Sequence, residues 1–71
     1  MPPLPILSGK EMIAVLKRHE FIEARQKGSH VRMKHGDGRA TTVPLHKELD
    51  RGTLRAILRQ SGLSVDDLLD S

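Results

Sequence analysis

The sequence predicts an α+β domain: a helix, three antiparallel strands, a second helix and a short closing helix. Three observations carry that prediction. A Ser8-x-x-Glu11 capping box stands before an apolar stripe, His30 to His35 alternates into a Gly36-Asp37-Gly38 turn, and a second stripe runs between Asp50 and Gly62.

The first helix opens at Ser8, with Leu7 and Met12 placed to form a hydrophobic staple over the cap. Met12, Ile13, Val15 and Leu16 repeat at helical spacing, and the pattern lasts to about His19. Upstream, Pro2, Pro3 and Pro5 make an extended lead-in, because proline lacks the N–H and disfavours helix in the residue before it. Phe21 to Lys27 reads as a first strand with a weak pattern, and Gly28-Ser29 as a turn. From His30 to His35, Val31 and Met33 point one way and His30, Arg32 and Lys34 the other. Glycines of the next turn accept the positive φ that a tight hairpin demands, and Ala40 to Val43 returns as a third strand ended by Pro44. Asp50 is the expected N-cap of the second helix, Leu54, Ile57 and Leu58 its buried stripe, and Gly62 its C′ residue. Arg51, Arg55 and Arg59 form a separate basic ridge on it. Ser64 caps the last short helix, in which Val65, Leu68 and Leu69 are apolar.

At 71 residues the chain is expected to be one domain over 1–71, with a thin core and a small stability margin. Without cysteine there is no disulfide to supplement that core and no thiolate zinc site. Phe21 is the lone aromatic residue, which argues against a binding surface built on base stacking. The net charge of +3 is unevenly spread. Between Arg25 and Arg39 the one acid is Asp37, whereas Asp66, Asp67 and Asp70 crowd the end. A basic middle fits an anion-facing surface, with RNA or DNA the natural ligand; a solvated charged face is the plain alternative. No apolar run approaches a membrane span and the start does not read as a secretory signal, so the expected location is the cytoplasm.

Four histidines are candidates for chemistry. His19 sits where a cation suits the negative end of a helix dipole, and His35 reads as a solvated residue beside the turn. His46, after Pro44-Leu45, either orients a loop or touches a phosphate. His30 differs: it follows Lys27-Gly28-Ser29 and shares a strand face with Arg32 and Lys34. Glycine there leaves the backbone open to close approach, and N–H groups at such a turn can face a phosphate. An imidazole titrates near neutrality in its unperturbed state, so His30 is either a general acid or base or a phosphate contact that does no chemistry. His30, His35 and His46 have neither helical i, i+4 spacing nor a carboxylate cluster, so no metal or other cofactor is expected. The chain also lacks a Gly-x-Ser-x-Gly segment and a Walker-type loop.

These residues together resemble the HicA toxin family. Leu7-Ser8-Gly9-Lys10-Glu11 resembles the start of its first helix, and Gln26-Lys27-Gly28-Ser29-His30 its Gly-Ser-His segment. Val43-Pro44-Leu45-His46 is similar to its Pro-x-His element; Gly52-Thr53-Leu54-Arg55-Ala56-Ile57-Leu58 and Gln60-Ser61-Gly62-Leu63-Ser64 are similar to its second helix and that helix's close. The resemblance implies a double-stranded-RNA-binding-domain-like fold, ribosome-independent cleavage of mRNA with His30 essential, and a HicB-like antitoxin partner. Two departures bear on the start of the first strand and the shape of the site: Glu20 stands where the family often has glycine, and Val31 where it has a second histidine or an aromatic residue.

The expected function is therefore metal-independent RNA cleavage. His30 is the catalytic residue, and Lys27, Gly28, Ser29, Arg32, Lys34 and His46 are the RNA-binding set. The sequence leaves the second proton-transfer group unnamed, with His46 one candidate. A non-enzymatic RNA-binding module on the same fold is the alternative, and a domain that meets an acidic protein partner is a third reading.

Overall fold

The structure is a computed structural model that describes residues 3–69, so Pro2 of the expected lead-in and Asp70 of the acidic end lie outside the described residues. Helix α1 spans Gly9–Arg18, strands β1, β2 and β3 span Phe21–Lys27, His30–His35 and Ala40–Pro44, and helices α2 and α3 span Arg51–Ser61 and Val65–Leu69. The strands form one antiparallel sheet in the order β1-β2-β3.

Each helix starts where its cap chemistry puts it. The Ser8 hydroxyl accepts from the Glu11 N–H at 3.1 Å, and the Glu11 carboxylate accepts from the Ser8 N–H at 2.9 Å. Asp50 accepts from the Thr53 N–H at 2.7 Å, and Gly62 ends α2 in the left-handed conformation at φ 76°. Ser64 and Asp67 repeat the reciprocal cap ahead of α3. His19 closes α1, its N–H shared between the carbonyls of Val15 and Leu16. Glu20 then turns the chain into β1 at φ 73°, a left-handed position held by a non-glycine residue.

Both main helices cover one face of the sheet. Met12, Leu16, Leu54 and Ile57 meet Phe21, Val31, Met33 and Val43 in a single buried cluster that Leu49 and Leu68 complete. Thr41 is buried on the same face, where its hydroxyl donates to the Gln60 side-chain oxygen at 2.8 Å and ties β3 to α2. Val31 and Met33 are buried while Arg32 and Lys34 are exposed, so the register read from the alternation holds.

Two local arrangements depart from the sequence reading. His35 is not a solvated turn residue. It lies half-buried on the core face, edge-on to Phe21 with ring centres 5.1 Å apart, and its Nδ1 accepts from the Asp37 N–H at 3.1 Å. The cause is parity: His35 follows Val31 and Met33 on the same side of β2. Arg39 extends this cluster, lying over Phe21 at 5.3 Å, donating to Asp37 through Nε at 2.7 Å and to the Ser61 carbonyl through Nη1.

The second departure is a β-bulge. Phe21 pairs with His35 and Glu23 with Met33, but beyond the bulge Arg25 pairs with Arg32 and Lys27 with His30. Strict alternation from Phe21 would send Glu23, Arg25 and Lys27 all to the core face. The extra residue, Ala24, shifts the parity and turns Arg25 and Lys27 onto the opposite face.

Candidate nucleic-acid interface

The face of the sheet away from the helices gathers most of the candidate residues. On it β2 presents His30, Arg32 and Lys34, and the half of β1 past the bulge presents Arg25 and Lys27. These five, with Ala24, line an open groove of about 520 Å³. No carboxylate lines it. Arg25 stands directly across from Arg32, a like-charge pair that disfavours the sheet unless something anionic sits between them. Arg32 is held in place by a hydrogen bond from Nη1 to the Thr42 hydroxyl at 3.1 Å.

Lys27 and His30 flank a two-residue turn. Gly28 occupies its first position at φ 59°, the conformation that a hairpin turn matched to strand twist asks of a glycine there. A side chain at Gly28 would meet nothing within 4 Å, so the space above the turn is open to a ligand. The turn is anchored from behind: the Ser29 carbonyl accepts from the Leu45 N–H at 2.7 Å, and the His46 carbonyl accepts from the Gly9 N–H at 2.9 Å. Gly9 is indispensable to that second bond, because a Cβ there would lie 2.1 Å from the Pro44 oxygen.

Of the residues expected to act together, the fold gathers Lys27, His30, Arg32 and Lys34 in the groove and puts Gly28 and Ser29 at its end. His46 does not line it. That residue is exposed on the loop past β3, where its charge helps to depress the Asp50 carboxyl after the hydrogen bonds from Thr53 and Gly52. Arg25 belongs to the groove and sequence reasoning missed it, since only the bulge turns it there. The Arg51, Arg55 and Arg59 ridge is exposed on α2, on the far side of the sheet from the groove.

Charge pairing follows a plain division. Glu11, Asp50 and Asp67 serve helix caps and Asp37 serves a turn. Among the described residues the lysine and arginine side chains within 4.0 Å of a carboxylate are Lys17, against Glu23 at 3.9 Å, and Arg39, against Asp37, and His35 Nδ1 also stands 3.0 Å from Asp37. Every cation of the groove is left for an external anion. Among the described residues no three His, Asp or Glu side chains cluster as metal ligands would, and no helix is long and apolar enough to cross a membrane.

Fold and groove define a small basic α+β protein of the double-stranded-RNA-binding-domain kind, with one histidine set among cations on its open sheet face. The family described as HicA toxin of bacterial toxin–antitoxin matches residues 9–63. A chain of a solved structure described as a toxin–antitoxin complex from Streptococcus pneumoniae is 41% identical, with a TM-score of 0.70 over 80% of this chain and 98% of that one. No curated protein matches. The chain belongs to the HicA toxin family.

Proposed function

We propose that this toxin, acting as a single unit over residues 1–71, is an endoribonuclease that cleaves mRNA in the cytoplasm without a metal, with His30 as its general acid or base. The carrying observation is the groove itself: one imidazole, four cations, no carboxylate and an open glycine turn. A phosphodiester fits it by charge. The ribose 2′-OH attacks the adjacent phosphorus, leaving a 2′,3′-cyclic phosphate and a 5′-OH. Arg32, Lys34 and Lys27 bind the strand and stabilise charge that builds on the phosphate oxygens. Because the 2′-OH is the nucleophile, DNA binds and survives. A HicB-like antitoxin partner follows from membership of a toxin–antitoxin family, and the groove is the surface it would mask.

The test is an RNA oligonucleotide incubated with each variant in EDTA, with end-group analysis of the fragments. His30→Ala should fold normally, since exposed substitutions shift stability by about 0.5 kcal/mol at most. It should keep its affinity for RNA and lose at least about 10²-fold in cleavage rate. Arg32→Ala should weaken binding and cleavage together. Undiminished cleavage by His30→Ala refutes the catalytic role, EDTA-sensitive cleavage refutes the metal-free mechanism, and an inactive parent protein leaves a binding module.

A further inference from the structure

Transesterification at phosphorus needs two proton transfers, one from the 2′-OH and one to the departing 5′-oxygen. The groove contains one imidazole. We infer that Lys27 is the second catalytic residue, giving its ammonium proton to the 5′-oxygen while His30 takes the proton of the 2′-OH. This rests on the ribonuclease reading above.

Position and chemistry single Lys27 out among the groove cations. It is the cross-strand partner of His30 at the mouth of the hairpin, on the same open face. Paired residues in antiparallel strands hold their Cβ atoms about 5 Å apart, so the two side chains can reach opposite sides of one phosphate. The two-residue Gly28-Ser29 turn fixes the pair, and the hydrogen bond from Leu45 to Ser29 fixes the turn. Lys34 starts four residues further along β2, about 13 Å away, and pairs with Ile22. Arg25 and Arg32 are guanidinium groups, which neutralise phosphate but do not give up a proton in proteins. His46 stands on the loop outside the groove.

The step balances. The 2′-oxygen–phosphorus bond forms as the phosphorus–5′-oxygen bond breaks. His30 gains the 2′-OH proton, and Lys27 loses one to the 5′-oxygen, an alkoxide far more basic than an amine. Water then takes the proton from His30 and returns one to Lys27. Neither a metal nor an oxidant enters.

The experiment compares two substrates at a site the parent protein cuts: ordinary RNA, and RNA whose 5′-bridging oxygen there is sulfur. A thiolate leaves without a proton, since thiols are far more acidic than alcohols. Lys27→Met should slow cleavage of ordinary RNA by at least about 10²-fold and lose most of that defect on the sulfur substrate. Lys27→Arg keeps the charge but not the transferable proton. It should bind an uncleavable 2′-deoxy analogue like the parent and show the same substrate-dependent rescue. His30→Ala should stay slow on both substrates. Equal Lys27→Met defects on both substrates, or rescue of His30→Ala by sulfur, would overturn the assignment. Thermal unfolding of each variant separates lost chemistry from lost fold. A parent protein that cuts ordinary RNA at no site fails the ribonuclease reading itself, and this inference falls with it.

Discussion

Gly9→Ala is the most demanding test of how this fold holds its groove. A methyl group there would sit 2.1 Å from the Pro44 carbonyl oxygen and 2.9 Å from the Leu45 Cα. Ordinary contact begins at 3.4 Å, so the first turn of α1 and the end of β3 must separate by about 1.3 Å. Both sides are backbone, so no side chain can swing aside. Overpacking of this kind costs about 1–3 kcal/mol. The Gly9-to-His46 hydrogen bond, 2.9 Å in the parent, is lost or stretched at about 1 kcal/mol more. Alanine's better helix propensity returns at most about 1 kcal/mol, and less at a first helical position. The net loss is about 2–3 kcal/mol, against a total near 4–10 kcal/mol for a chain of this length. Tm should fall by about 10–20 °C, followed by circular dichroism with urea unfolding as a second measure. Gly52→Ala is the control, its Cβ only grazing Asp50 Oδ1 at 3.4 Å, and it should leave Tm unchanged or raise it slightly. Function should also be lost below Tm, because the Pro44–His46 segment anchors Ser29 beside His30. A Gly9→Ala protein that melts within about 2 °C of the parent would refute the close-packing account.

Three further outcomes follow from the same structure. Glu20→Gly should raise stability by about 0.5–1 kcal/mol, since relief of the left-handed strain at φ 73° exceeds glycine's entropy cost; a lower Tm would show that the Glu20 side chain matters more. Arg32→Ala should flatten the salt dependence of RNA binding by about 0.7 in the log–log slope, read by fluorescence anisotropy across a salt titration, and an unchanged slope would remove Arg32 from the interface. The Asp37 carboxyl is held below its ordinary value of 3.8 by the Arg39 backbone N–H and, against some desolvation, by the Arg39 side chain and the nearby His35. A depressed carboxyl stabilises the fold above pH 3.8 and loses that contribution as pH falls through its lowered value, so Asp37→Asn should flatten the acid limb of a Tm-against-pH curve, and an unchanged limb would assign acid lability elsewhere.

Much of this fold is written in local chemistry, and its legibility ends where pairing begins. The two capping boxes, the Asp50 cap and the Gly62 terminus are each settled within four residues, so sequence placed the helices to within a residue or so. Strand β2 was equally plain because Val31 and Met33 are buried on one face while His30, Arg32 and Lys34 are exposed on the other. Strand β1 was not: only Phe21 is buried among its seven residues, so alternation has nothing to register against. The bulge that sets its second half is a property of pairing with β2, which one strand's sequence does not disclose. For the same reason Arg25 was overlooked, although the two-residue Gly28-Ser29 turn already set Lys27 across from His30. His35 was misplaced by its neighbours in sequence, a glycine turn, when its parity with Met33 already pointed inward.

The bulge ties these observations to function. With Phe21 held in the core, an unbroken β1 of the same seven residues would carry Arg25 and Lys27 toward the helices, where two cations would either meet the core or tear the strand from β2. The groove would then hold His30, Arg32 and Lys34 alone, with no group across from the imidazole. One added residue, Ala24, turns both cations outward and places Lys27 opposite His30. Deleting Ala24 tests this register directly. Glu23 then precedes Arg25 opposite Met33 and Arg32, so strict alternation keeps Phe21 inward and leaves Arg25 and Lys27 on the groove face, with only the local kink of the bulge removed. The deletion variant should therefore fold and still bind RNA, whereas a folded variant that has lost RNA binding would refute the register.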